Sequence, residues 1–319
     1  MKAFATIFAA MIASSSAANA QAWPSKPIQI IVPFAAGGAV DIAGRIFAPQ
    51  LQEQLKQPVI VVNKPGAGGN IGTDFAAKSA PDGHTILLTT NGQSISPSIF
   101  KQLNWSPDDF APVTQLFSTF IVIVTGPKSR LQNLQDLIAA AKARPGALNY
   151  GGSGVGNAFH LTMERLKFEA GFDMQMVPYK SDGEIINALA TGEIEVAMLP
   201  HATAKPLIEH GELRAIAATA PKRSPALPNV PTIAEQGMPD FWAIGYQALF
   251  APAKTPRDVV DRLWREARTA MQAPMVKARL DAFSVTPLGS SPEEFATFYK
   301  EDVERFRRIV RDARIPLQD

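Results

Sequence analysis

Phe34-Ala35-Ala36-Gly37-Gly38-Ala39-Val40-Asp41 follows a continuous apolar run at residues 28–34 and opens a stretch with Ile42, Ile46, Phe47 and Leu51 at helical spacing. An apolar run without alternation predicts a strand buried on both faces, and the glycines predict a strand-to-helix turn. Such a turn presents backbone N–H groups and the positive end of a helix dipole at one point. A second stretch, Tyr150-Gly151-Gly152-Ser153-Gly154-Val155-Gly156-Asn157, follows the short run 148–150 and leads into a helical pattern through Leu166. Neither loop carries a nucleophile–base pair, a phosphate-binding lysine or metal-ligand spacing. Two anion cradles without chemistry point to a protein that holds a small carboxylate and does not transform it.

Outward from these loops, strand and helix patterns alternate. Strands are predicted at 59–62, 85–89, 120–125, 174–177, 194–199, 213–219 and 243–250, and helices at 41–55, 71–80, 134–143, 184–190 and 203–210. Pro49 predicts a kink or break in the first helix. Regular alternation predicts an α/β fold of parallel sheets with helices on both faces. In the C-terminal quarter, Thr255-Pro256-Arg257-Asp258 reads as a capped helix start, and Ser291-Pro292-Glu293-Glu294 as a capping box. Phe295, Phe298, Tyr299, Val303, Phe306 and Val310 then form an apolar stripe for the core. Arg305, Arg307, Arg308 and Arg311, interleaved with acids, read as a solvated helix face. Residues 221–239 hold five prolines and read as a tight ordered loop, a candidate for chain passage between lobes.

Residues 1–20 read as a leader: Lys2, an apolar core at 4–13, and Ala18-Asn19-Ala20 as a small-x-small cleavage site. That core is shorter than the roughly 20 apolar residues needed to span a bilayer. The chain holds no cysteine, so neither a disulfide framework nor a lipid-modified cysteine is available. The expected location is the periplasm, without a membrane anchor. The precursor has 31 basic and 29 acidic residues, for a net charge of +2. That near-neutral balance offers no footprint for nucleic acid.

Enzymatic readings of the second loop fail at named positions. A phosphate-binding loop needs Lys-Ser or Lys-Thr after Gly156, where Asn157 and Ala158 stand; a dinucleotide fingerprint needs glycine at 157; a serine elbow around Ser153 needs glycine at 155. His84, His160, His201 and His210 show no zinc spacing, and His160 with Glu164 reads as a surface pair. The adjacent acids Asp108-Asp109 and Glu293-Glu294 suit helix starts better than acid–base pairs. No cofactor and no metal are expected.

Several segments together resemble Bug-type receptors, the periplasmic substrate-binding proteins of tripartite tricarboxylate transporters. They are Trp23-Pro24-Ser25-Lys26-Pro27-Ile28, Ile31-Val32-Pro33-Phe34 with Ala36-Gly37-Gly38, Asp41 and Arg45, and the run from Val62-Asn63-Lys64-Pro65-Gly66 through Gly69-Asn70-Ile71-Gly72. Ala80-Pro81-Asp82-Gly83, Leu148-Asn149-Tyr150-Gly151, Val177-Pro178-Tyr179-Lys180, Lys222-Arg223-Ser224-Pro225 and Phe250-Ala251-Pro252 continue the likeness in order. The resemblance implies a two-lobed periplasmic-binding-protein fold, type II-like, with a hinge between lobes. Lobe 1 is expected at 21–122 plus 244–319, and lobe 2 at 123–243.

It also implies a carboxylate between the lobes. Phe34, Ala36, Gly37, Gly38, Ala39 and Asp41 would line one wall, with Asp41 serving mainly to stabilise its loop. Gly151, Ser153, Gly154, Val155, Gly156, Asn157 and His160 would line the other. Thr90, Asn91, Gln93, Tyr179, Pro200 and His201 are further candidates, with His201 and Gln93 placed at the distal end of the ligand. Ala36, Asn157, Glu195 and Leu199-Pro200-His201 depart from the usual family pattern, which leaves the ligand's identity open.

Hydrogen bonds to a charged group contribute roughly 1.5–3 kcal/mol each. Three to five of them, less the cost of ordering, suffice for micromolar binding, about −8 kcal/mol. The expected partners are a small organic carboxylate and membrane-embedded transporter subunits, the receptor itself acting as a monomer. Two alternatives stand beside this reading: a periplasmic α/β hydrolase or transferase using Ser153, and a receptor that acts only in signalling.

Overall fold

The first strand, β1 (Ile28–Val32), is buried along its core face and feeds helix α1 (Ala39–Leu55) through the Phe34 loop. The computed structural model describes residues 23–152, 157–179 and 181–318. The leader and the Ser153, Gly154, Val155 and Gly156 positions lie outside the described residues. After α1 come β2 (Val59–Asn63), α2 (Asn70–Ala77), β3 (Thr85–Thr90), α3 (Gly92–Ile99) and the long β4 (Phe110–Thr125). Then follow α4 (Leu134–Ala143), β5 (Asn149–Gly152), α5 (Ala158–Ala170), β6 (Gln175–Pro178), α6 (Asp182–Thr191), β7 (Val196–Pro200), α7 (His201–Glu209) and β8 (Arg214–Ala218). The chain closes with β9 (Ile244–Pro252), α8 (Arg257–Gln272), α9 (Pro274–Ala282), β10 (Thr286–Pro287) and α10 (Pro292–Asp312).

The strands join in the order β2-β1-β3-β9-β4-β7-β5-β6. β2, β1 and β3 run parallel, as β-α-β crossovers require, and so do β7, β5 and β6. β9 and β4 are antiparallel insertions that join the two parallel sets. β4 serves both: residues 110–120 pair with β9, and residues 121–125 pair with β7 and β8. This is a mixed α/β fold with one continuous curled sheet. The first parallel set packs its core on α1, α8 and α10, and the second on α4, α5 and α6. A smaller apolar cluster of Ile95, Ile99, Leu161, Phe306, Val310 and Ile315 ties α3 and α10 to α5 across the two halves.

Several expectations need correction. Helix α1 runs through Pro49 without a break; Phe47, Ala48, Leu51 and Leu55 anchor its buried face on both sides of the missing donor. Residues 110–119 are strand, and 92–99 helix, although neither shows a clean period in sequence. α8 takes Pro256, not Thr255, as its N-cap, with no side-chain cap bond. The Ser291 capping box is present as expected. The proline loop does not pass between halves: Leu227, Val230 and Ile233 bury it on the second one. Arg305 is not on a solvated face, because it pairs with the buried Asp302 and lies over the Trp242 ring at 4.1 Å. His160 is likewise buried rather than at the surface.

Candidate functional site

The first glycine loop is held by a buried carboxylate. Asp41, only 2% exposed, accepts from Gly37 N (2.8 Å), Arg45 Nε (2.9 Å) and Asn63 Nδ2 (3.0 Å). Asn63 also donates to Phe34 O at 3.1 Å, so the loop is tied at both ends to β2. The Arg45 hydrogen bond, together with those from Gly37 and Asn63, holds Asp41 down at about 2 despite its burial. Gly37 supplies a φ of +83°, which the turn needs and an ordinary residue resists.

Four helices begin at one cavity of about 460 Å³. Its wall includes Ala39 of α1, Asn91 and Gly92 at the start of α3, Asn157, Ala158 and Phe159 at the start of α5, and Pro200 ahead of α7. The N-caps of α1, α3 and α7 (Gly38, Asn91 and Pro200) make no side-chain cap bond. Away from this cavity, α4 and α10 are capped by Asn133 and Ser291. The first-turn amides of α1 and α7 thus have no side-chain cap, whereas Gly92 N of α3 donates to Thr90 Oγ1 at 3.1 Å and α5 is capped by Asn157; the four helix dipoles converge there. Thr119 and Ile121 of β4 with Gly245 and Gln247 of β9 form the floor, where Thr119 and Gly245 are register partners. Phe34, Ile95, Ile99, Phe100 and Phe159 make much of the remaining wall apolar, and Gln318 closes one end.

A second cavity of about 350 Å³ continues the first, sharing Ala39, Thr119, Pro200 and Gln247. Ile42, Ile46, Phe117, Leu280, Phe283 and Val285 give it an apolar wall, and Asp182, His201 and Thr203 add polar groups. No lysine or arginine lines either cavity among the described residues. Arg165 and Arg305 line an adjoining space of about 20 Å³ that shares Asn91, Ile121, Ala158 and Gly245 with the larger cavity. Arg165 is engaged with Glu169 and Trp242 O, and Arg305 with Asp302 through Nη2, while its buried Nη1 is unpartnered.

Of the residues singled out in sequence, Phe34, Ala39, Thr90, Asn91, Asn157 and Pro200 lie on the larger cavity, and His201 on the smaller. Ala36, Gly37, Gly38 and Asp41 build the loop without lining either. Gly151 and Gly152 sit inside β5, pressed against Ile194 and Met176. Asn157 caps α5 by accepting from His160 N at 2.9 Å. His160 stands behind the wall, 4.0 Å from Glu164, with its pKa lowered chiefly by burial. Tyr179 turns away to donate to Glu193 at 2.9 Å, and burial raises its pKa to about 12. Gln93 is buried beside the cleft with neither end of its amide partnered.

His201 is stacked on Phe120 with ring centres 4.1 Å apart. Its Nδ1 lies 3.2 Å from Phe120 O and its Nε2 2.6 Å from Ser284 O. Both ring nitrogens face main-chain carbonyls, so the side chain fastens α7 to the segment before β10. Sequence reasoning missed Thr119, Gly245, Gln247, Ile95, Ile99, Phe100 and Phe159.

The family model described as "Tripartite tricarboxylate transporter family receptor" matches residues 43–315. Protein BugT of Bordetella pertussis (strain Tohama I) is 37% identical, over 96% of this chain and 95% of its own length. A solved periplasmic transporter is 37% identical with a TM-score of 0.78, covering 93% of this chain and 100% of its own. Rpa4515 of R. palustris, solved with adipate, is 29% identical with a TM-score of 0.78 over 93% of this chain and 100% of its own. No helix among the described residues is long and apolar enough to cross a membrane.

Proposed function

The chain belongs to the tripartite tricarboxylate transporter receptor family, whose solved relatives are periplasmic binding proteins, and we propose that it captures a small organic carboxylate and delivers it to membrane-embedded transporter subunits. One observation carries this reading: four helices start at a single cavity whose described lining has no basic side chain, and three of their N-cap residues make no side-chain cap bond. Main-chain amides, with uncharged side chains such as Asn91 and Thr119, are then the donors on offer, and a carboxylate, with about four lone-pair sites, uses several at once. That Rpa4515 was solved with adipate supports a carboxylate ligand.

Two lobes, 21–122 with 244–319 and 123–243, close about β4 and the start of β9. The ligand bridges Ala39 and Gly92 on one side to Ala158 and Phe159 on the other, so binding favours the closed state. The leader at 1–20 directs export, and the mature protein is a free monomer in the periplasm that does no chemistry on its cargo. Calorimetry of the mature protein against straight-chain carboxylates tests the reading. Saturable, roughly micromolar binding with the acid recovered unchanged is expected. Turnover of a bound acid, abolished by Ser153→Ala, would overturn it.

A further inference from the structure

The two cavities differ from a site built for a multiply charged anion. The smaller one has a carboxylate in its wall, Asp182, and among the described residues no basic side chain to oppose it. Asp182 is half-buried and among the described residues makes no ion pair or hydrogen bond through its side chain. It is not spent on capping either, because Ser181 caps α6 by accepting from Glu184 N. Burial pushes its pKa up, the direction expected for a carboxylate that meets no cation. At the waist between the cavities stands Gln247, 7% exposed, whose Oε1 is buried and unpartnered. Asp182 thus lines this space without a donor, and Gln247 Oε1, out of solvent contact at the waist, has none either; an unpaired buried acceptor costs free energy until a donor arrives.

We propose that the ligand is an amino-carboxylate: its carboxylate lies among the helix starts of the larger cavity, and a protonated amine or other N–H cation reaches Asp182 in the smaller one, passing Gln247. This rests on the carboxylate reading above and narrows it. The apolar walls at Ile42, Phe117 and Phe283 enclose an uncharged body between the two ends. A second carboxylate in that position would meet Asp182 as a like charge beside apolar walls, which is unfavourable. Asp182 is thus a specificity-determining residue that rejects di- and tricarboxylates and admits a zwitterion.

The test uses three matched series: straight-chain acids from butanoate to octanoate, the ω-amino acids of the same lengths, and the α,ω-dicarboxylates of the same lengths. Calorimetry on the whole mature protein should show the best ω-amino acid binding at least about tenfold tighter than either counterpart. In Asp182→Asn that preference over the plain acid should shrink by about tenfold and dicarboxylate binding should rise, with Asp182→Glu restoring much of the preference. A purely structural role would weaken all three series together and leave their ratios fixed, which would overturn the assignment. A dicarboxylate that binds wild type more tightly than its ω-amino partner would also overturn it while leaving the carboxylate reading intact. Binding by none of the three series would sink both.

Discussion

The two glycine-rich stretches look alike in sequence and do opposite work. Around Gly37, space is open: an added Cβ would meet nothing within 4 Å, and the glycine is there for its positive φ. Around Gly151, the backbone is ordinary strand and space is absent, since a Cβ would stand 2.6 Å from Ile194 Cδ1 and 3.1 Å from Ile185 Cγ2. The first loop is a shaped turn clamped by polar side chains onto Asp41. The described part of the second is a strand end packed into the hydrophobic core. Glycine content alone therefore does not identify a binding loop; what it permits has to be read from its neighbours.

The largest effect should come from removing the clamp. Asp41→Ala leaves Gly37 N–H and the Asn63 amide without their acceptor and should cost about 2–3 kcal/mol, measured by denaturant unfolding. It should also weaken carboxylate binding, because Ala39 is carried by the same loop. The folded-state value of Asp41, about 2, lies below its ordinary 3.8. Its stabilisation is therefore fully present above the ordinary value and is lost as pH falls through the folded one. The stability gap between wild type and Asp41→Ala should stay constant down to about pH 5 and then close toward about pH 2. A gap that does not narrow in acid would mean the carboxylate's charge is not what holds the loop.

Next in size is Gly151→Ala, where overpacking against Ile194 and Ile185 should cost about 1–2 kcal/mol. Ligand affinity of the folded fraction should change little, since Gly151 serves strand packing. A variant that keeps its stability but loses binding would reverse the contrast between the loops. Gly37→Ala is the smallest of the three. With room for the methyl and only the φ to resist it, about 1 kcal/mol is expected. A much larger loss would show that the turn tolerates no side chain for reasons beyond its backbone angle.

Local signals were enough for most of the fold. The run at 28–34, the helix at 134–143 and the Ser291 capping box were readable because strand burial, helical period and capping each act within a few residues. β4 was half missed: its first part, at 110–119, mixes Pro112, Thr114 and Gln115 into the apolar pattern, and β9 and Ser290 satisfy it from far along the chain. α3 was missed because Gly92, Ser94, Ser96 and Pro97 make a poor helix by propensity. Packing of Ile95 and Ile99 against α5 and α10 overrides that.

The site divides the same way. The loop at Phe34 and the helix start at Asn157 announced themselves by glycine and by cap chemistry. The floor at Thr119 and Gln247, and the unpaired Asp182, become visible only once β4, β9 and α6 are brought together. His201, singled out from its place after β7, lines the smaller cavity and also sets its ring nitrogens against the carbonyls of Phe120 and Ser284. Arg305 looked solvated because its helix neighbours are charged; the partner that buries it, Asp302, lies one turn away on the inner face.

The central claim is that uncharged main-chain amides at converging helix starts hold the carboxylate. A crystal structure of the mature protein with the tightest-binding acid tests it most directly. The account predicts a carboxylate within hydrogen-bond distance of first-turn amides of α1, α3 or α5, with no lysine or arginine touching it. A carboxylate paired to Arg165, Arg305 or any other basic side chain, with those amides facing only solvent, would contradict it.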